Sequence, residues 1–187
     1  MSLVLQTIIC STRPGRVGPT IARWFHEAAQ AHGQFDARLV DIADFNLPIY
    51  DEPKHPMMQS YEHDHTKAWS ASVAQADAFV FVTPEYNYGP PPALVNALNY
   101  LYREWNYKPA SFVSYGGVSG GLRAVQMEKQ ILTTLKIMPI PEQVVVQMPG
   151  QQIDDGVFKG NPMQDQSVGN ALNELHRWAG ALKPLRG

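Results

Sequence analysis

Residues 78–83 read Ala-Phe-Val-Phe-Val-Thr, a run with no solvent face. It is too short for a buried helix, and β-branched and aromatic side chains dominate it. It therefore reads as a strand covered on both sides. Strands of this kind belong to parallel sheets sandwiched between helices.

The rest of the chain fits that frame. Leu3-Val4-Leu5 through Ile8-Ile9 is a second short apolar run rich in branched residues. It reads as a first strand rather than a signal peptide, because no basic flank precedes it. Phe35–Ile42, Ser111–Tyr115 and Gln143–Met148 predict three more strands. Gly18-Pro19 opens a helix, with Pro19 suited to its first turn. Ile21, Trp24, Phe25 and Ala28 then fall on one helical face. Further helices are expected over residues 64–76, from Leu94 to Trp105, over 122–136 and from Leu172 to Leu182. Residues 43–63, with Pro48, Pro53 and Pro56, read as irregular. Crossovers between parallel strands are right-handed, and ligands sit at the carboxyl ends of the strands.

A length of 187 residues, 44% of them hydrophobic, predicts a single domain over 1–187. The lone cysteine, Cys10, cannot support a disulfide framework, which points to a reducing, cytoplasmic setting. No apolar stretch approaches the ~20 residues that span a bilayer, so no membrane partner is expected. The net charge of −2, from 15 basic and 17 acidic side chains, offers no basic stripe for nucleic acid and no acidic field for docking basic proteins.

Three segments follow the first, third and fourth strands. The first, Cys10 to Gly18, carries Ser11, Thr12, Arg13 and Arg16 ahead of a helix start. Helix N-termini attract anions and arginine adds charge-assisted bonds, so the parts suit a phosphate. The Gly-Lys-Ser/Thr ending of an ATP loop is missing, and so is G-x-G-x-x-G. An ordinary turn with surface arginines has the same composition. The second, Thr83 to Pro92, is stiffened by prolines and carries Tyr86 and Tyr88, which can edge a flat ring or simply pack. The third, Tyr115 to Gly121, has glycines at 116, 117, 120 and 121. Such a loop lets backbone N–H groups approach a ligand carbonyl, and it also suits a tight turn. The order of the three segments places them together on one edge of the sheet.

These residues resemble the NADPH-dependent FMN reductase family. The resemblance rests on Ser11-Thr12-Arg13-Pro14-Gly15-Arg16, Thr83-Pro84-Glu85-Tyr86-Asn87 with the prolines and Asn96-Ala97-Leu98 after it, and Gly116-Gly117 with Gly120-Gly121-Leu122-Arg123-Ala124. It runs from the first strand to about residue 148. Cys10 departs from the pattern, since the family carries glycine before the serine. The resemblance implies a flavodoxin-like three-layer α/β sandwich with a five-stranded parallel sheet in the order 2-1-3-4-5. It implies bound FMN, NADPH or NADH as co-substrate, and a homodimer or homotetramer. FMN phosphate contacts would fall on Ser11, Arg13, Arg16, Val17 and Gly18. Ring contacts would fall on Pro84, Glu85, Tyr86 and Asn87, and on Tyr115, Gly116, Gly117, Ser119 and Gly120. The expected reaction is ping-pong hydride transfer from NAD(P)H to a small acceptor such as a quinone, free flavin or azo compound, with the chemistry on the flavin and no catalytic side chain. Alternatives are a flavodoxin-type electron carrier, which would be strongly acidic, and a redox-responsive flavin-binding partner protein.

Other residues point less clearly. His55, His63 and His65 lack the spacing that specifies a metal site, and Asp64 reads as a helix cap. Cys10 reads as an inert strand-end thiol. Tyr100, Tyr102, Trp105 and Tyr107 read as a subunit interface in preference to core.

Overall fold

The computed structural model describes residues 2–186. Strands β1 (Leu3–Ile9), β2 (Phe35–Asp41), β3 (Ala78–Pro84) and β4 (Pro109–Gly116) are parallel neighbours in the order β2-β1-β3-β4. The fifth place is shared by β5 (Met138–Pro139) and β6 (Val144–Gln147), both paired with β4. This is the expected flavodoxin-like order, with the last position split. Pro139, the last residue of β5, and Pro141 just after it both lack a backbone donor, and proline interrupts a ladder.

Helices cover both faces: α1 (Gly18–His32) and α5 (Pro162–Leu182) on one, α2 (Asp64–Ala74), α3 (Pro92–Asn99) and α4 (Leu122–Thr134) on the other. Successive strand residues point to opposite faces. Val80 and Val82 therefore pack with Ile21 and Phe25 of α1 and Leu172 of α5. Phe79 and Phe81 pack with Trp69 of α2, Leu98 of α3 and Leu132 of α4.

Several local expectations change. The last helix begins ten residues early, at Pro162, because Asn161 and Gln164 form a capping box. A hairpin of β7 (Ile153–Asp154) and β8 (Val157–Phe158) precedes it, turning through Asp155 and Gly156 at positive φ. Helix α3 stops at Asn99, and Arg103–Trp105 is a separate 3-10 turn. Asp64 is not the cap of α2: His63 holds that position, and the Glu52 carboxylate accepts the Glu62 and His63 N–H groups instead. Tyr100 and Trp105 are fully buried, so they belong to the core; Trp105 stacks edgewise on Phe79 with ring centres 5.0 Å apart. Tyr102 and Tyr107 are half-buried.

The amino ends of β1 and β3 are tied by Asp77. Its carboxylate accepts from the Val4 N–H at 2.9 Å and from Arg186 at 2.6 Å, with Lys183 at 3.3 Å. Burial alone would raise its pKa, but these donors outweigh it and hold the carboxyl below the usual range. Arg186 also reaches the carbonyls of Asp77 and Tyr107. Arg186→Ala is expected to destabilise the protein by about 1.5–3 kcal/mol, the range for hydrogen bonds to a charged group, as read from urea unfolding at pH 7. The deficit should shrink on acidification through the carboxylate range, where Asp77 takes up its proton.

Candidate functional site

Parallel register brings the carboxyl ends of the strands into one rim. Ile9 lies beside Asp41 and Val82, Pro84 beside Tyr115, and Gly116 beside Gln147. The three loops foreseen from the sequence all leave from this rim.

The first loop packs closely against β4. The buried Ser11 hydroxyl accepts from the Tyr115 hydroxyl at 3.1 Å. Gly18 lies directly beneath the pair: a Cβ there would fall 2.6 Å from Ser11 Oγ and 2.7 Å from the Tyr115 oxygen. Only glycine lets helix α1 start so near the sheet. Arg16 bonds Asp41 through both guanidinium nitrogens, at 2.9 and 2.5 Å, and also donates to the Ser11 carbonyl. Its charge is thus neutralised inside the protein, and its part in the loop is to hold the backbone. Arg13 is exposed at the turn. Within residues 12–18, Arg16 donates its N–H to the Arg13 carbonyl, while the N–H groups of Thr12, Arg13, Gly15, Val17 and Gly18 have no acceptor among the described residues.

The second loop turns tightly. Tyr86 and Gly89 exchange N–H···O bonds of 2.9 Å each, across Asn87 and Tyr88, both at positive φ. A bulky residue at positive φ is uncommon, and Tyr88 is held by the Arg123 guanidinium 4.1 Å from its ring centre. The side chain of Glu85 points into the third loop rather than outward. It accepts from Ser119 Oγ at 2.7 Å, from the Arg123 N–H at 3.1 Å and from the Arg123 guanidinium at 3.0 Å. Burial opposes ionisation, but these donors at the N-terminus of α4 hold the Glu85 carboxyl below the usual carboxylate range. The second and third loops are therefore clasped together through Glu85, Ser119 and Arg123.

The expected site residues thus divide into two groups. Arg13, Val17, Tyr86, Asn87, Gly116 and Gly117 lie on or beside the rim with backbone or side chain available, whereas Pro84, also at the rim, is buried as the last residue of β3. Ser11, Arg16, Gly18, Glu85, Tyr115, Ser119 and Gly120 engage one another or neighbouring protein. Tyr115 directs its ring into the core, and burial pushes its hydroxyl pKa up. Gly120, at φ +60°, leaves room for Val145 and Gln147, where a Cβ would meet Val145 at 2.4 Å. Asp41 and the guanidinium of Arg123 are additions to the expected set. Asp41 was detectable as an acid ending the strand next to β1, within reach of the first loop.

The residues present fit FMN. The first loop has free N–H donors at a helix start and an exposed arginine, as a phosphate requires. A Cβ on Gly117 would enter open space. That space belongs to a cavity of about 390 Å³ lined by Gly116, Gly117 and residues 148–151. A second cavity of about 270 Å³ opens beside Thr12, between Asn46 and Asn96. His63 and His65 lie away from the loops, stacked 5.1 Å apart against Asp51. Among the described residues no group of three or more His, Cys, Asp or Glu is placed to hold a metal.

Glu85→Gln is expected to weaken the clasp and destabilise the protein by about 1–2 kcal/mol at pH 7, with faster amide exchange over residues 117–123. Because the folded carboxyl is held low, its contribution is full above the normal carboxylate pKa. The difference between wild type and variant should vanish as pH falls below that range.

Known proteins agree with this architecture. A family model described as NADPH-dependent FMN reductase matches residues 4–150. An NAD(P)H-dependent FMN reductase of Schizosaccharomyces pombe is 45% identical over 155 residues, 82% of this chain and 77% of the relative. The quinone reductase of Escherichia coli K12 is 35% identical over 142 residues, 73% and 72% of the two chains. Among solved structures, the flavoenzyme NAD(P)H:(acceptor) oxidoreductase FerB from Paracoccus denitrificans superposes with a TM-score of 0.76 at 17% identity, covering 96% of this chain and 98% of that one. This chain is a member of the NADPH-dependent FMN reductase family.

Proposed function

We propose that this chain is an NAD(P)H-dependent oxidoreductase whose single domain, residues 1–187, holds one FMN along the rim. The observation that carries the reading is the set of N–H groups in residues 12–18 without a protein acceptor, beside an exposed Arg13. Bound FMN would supply the hydride chemistry, taking a hydride from NAD(P)H and delivering two electrons to an acceptor.

The protein's part is to bind and orient. The first loop and Arg13 hold the phosphate. Pro84 to Asn87 present a rigid backbone to the ring. The N–H groups of Gly116 and Gly117 face the ring edge, where they stabilise negative charge that develops on reduction. No side-chain acid or nucleophile is required. NAD(P)⁺ leaves before the acceptor enters the same place, a ping-pong order. The acceptor class is a quinone, free flavin or azo compound, in keeping with the activities named for the relatives. A cytoplasmic homodimer or homotetramer is part of the proposal; exposed apolar side chains such as Ile49, Met58, Tyr88 and Val118 support the association of subunits.

The test is purification with FMN, followed by initial rates with both nicotinamides against a quinone, FMN and an azo dye. Expected are stoichiometric FMN and parallel double-reciprocal lines. Protein that takes up no FMN overturns the cofactor reading. Bound FMN with negligible turnover points to an electron carrier instead. Arg13→Ala is expected to weaken FMN binding by about 1.5–3 kcal/mol, measured by flavin fluorescence. Gly117→Val, which fills the open space beside the third loop, should abolish flavin loading while the apo-protein stays folded.

A further inference from the structure

Helix α4 carries a carboxyl group that the proposed chemistry does not use. Glu128 is fully buried, with no exposed surface. Its Oε1 lies 2.5 Å from the Thr83 hydroxyl, and its Oε2 has no hydrogen-bond partner among the described residues. Thr83 is itself buried and immediately precedes the second loop. Its hydroxyl has an alternative acceptor in the Pro84 carbonyl at 3.5 Å. The Cys10 thiol, buried at the exit of β1 ahead of the first loop, also feels the carboxyl.

We propose that Glu128 is a buried proton-binding positioning residue, acting through Thr83 on the second loop, whose protonation is coupled to FMN binding at the rim. The proposal rests on the FMN reading above.

The charge balance supports it. A buried carboxylate needs several donors, and Glu128 has one. Burial pushes its pKa up to about 8, outweighing the opposing effect of the Thr83 bond. From β1 it faces Cys10, whose pKa burial and Glu128 together raise. Asp41 of β2, which also acts on Cys10, is paired with Arg16. On its own helix, Arg123 is engaged by Glu85 and Lys129 lies over the Phe112 ring. No partner cation stabilises the ionised form among these groups. When protonated, Glu128 donates to Thr83, and the Thr83 proton can turn toward the Pro84 carbonyl. When ionised, Glu128 demands the Thr83 proton. A bare negative charge then lies beneath two loops that must hold a phosphate and an electron-rich ring. Linkage is reciprocal: whatever ionisation costs FMN binding, FMN binding returns as a higher pKa for Glu128.

The test is FMN affinity of the apo-protein by fluorescence from pH 7 to 9, where the flavin phosphate is already dianionic. Wild type is expected to lose affinity about five- to tenfold across this range, the scale of a typical coupling between sites. Glu128→Gln should be flat there and within about threefold of wild type at pH 7. Thr83→Val removes the bond that favours the carboxylate, so its transition should move to higher pH; Thr83→Ser should restore the wild-type midpoint. Infrared spectra of the wild-type apo-protein give a direct second readout: a protonated-carboxyl stretch lost over the same range and absent from Glu128→Gln. A pH-independent wild-type affinity, or the same pH dependence in Glu128→Gln, overturns the coupling. An unfolded Gln variant leaves the wild-type infrared titration and the Thr83 pair to decide, and absence of the carboxyl band at pH 7 overturns it. Failure of any variant and of wild type to bind FMN at any pH overturns the cofactor reading instead, while the infrared titration still reports the proton on Glu128.

Discussion

The seven residues of β3, all buried, leave that strand no solvent face, and the rest of the molecule is arranged to cover it. Phe79 and Phe81 demand one helical layer, Val80 and Val82 the other. Burying one such side chain is worth about 1.5–3 kcal/mol, so a strand with apolar residues on both faces is stable only between two layers. Parallel pairing with β1 and β4 then aligns the strand ends. Because each crossover returns through a helix, the loops that leave those ends collect on one rim. The location of the site follows from how the centre of the sheet is buried.

Two glutamates near that rim show how environment sets the behaviour of one chemical group. Glu85 meets a hydroxyl, a helix-start N–H and a guanidinium, and its carboxyl is held low. Glu128 meets a single hydroxyl in a dry setting, and its carboxyl is pushed up. The first is a fixed charge that ties loops together. The second is a group whose charge is conditional. Neither the residue type nor its helix or loop context separates the two; the depth of burial, the number of donors and the presence of a guanidinium do.

Much of the fold was legible in the sequence because its signals are local. Apolar runs gave the strands, and the turn residues gave the loops and their order. The start of α5 is less legible: Asn161, Pro162 and Gln164 carry its cap, but the regular apolar face that signals a helix begins only at Leu172. The split fifth strand follows from Pro139 and Pro141, but a proline shows where a ladder breaks and not whether it resumes. In the site, the rim position of the loops was readable, whereas the division of labour inside them was not. Ser11, Arg16 and Glu85 are residues that suit a ligand, and each has found a protein partner: Tyr115, Asp41 and Arg123. Those pairings join residues far apart in sequence, so composition and spacing carry no trace of them. The burial of Tyr100 and Trp105 was likewise undecidable from their aromatic character alone.

The Glu85 clasp has a consequence for how such a protein can change. The second and third loops are joined through Ser119 and Arg123. A substitution in either that alters its path drags the other along. Variation in what the rim admits is then channelled to surrounding segments outside the clasp, such as residues 149–151, which follow the Met148 N–H bond to the Gly116 carbonyl. The candidate site thus joins a fixed seat to a more adjustable doorway, and changes in the doorway leave the Glu85 clasp intact.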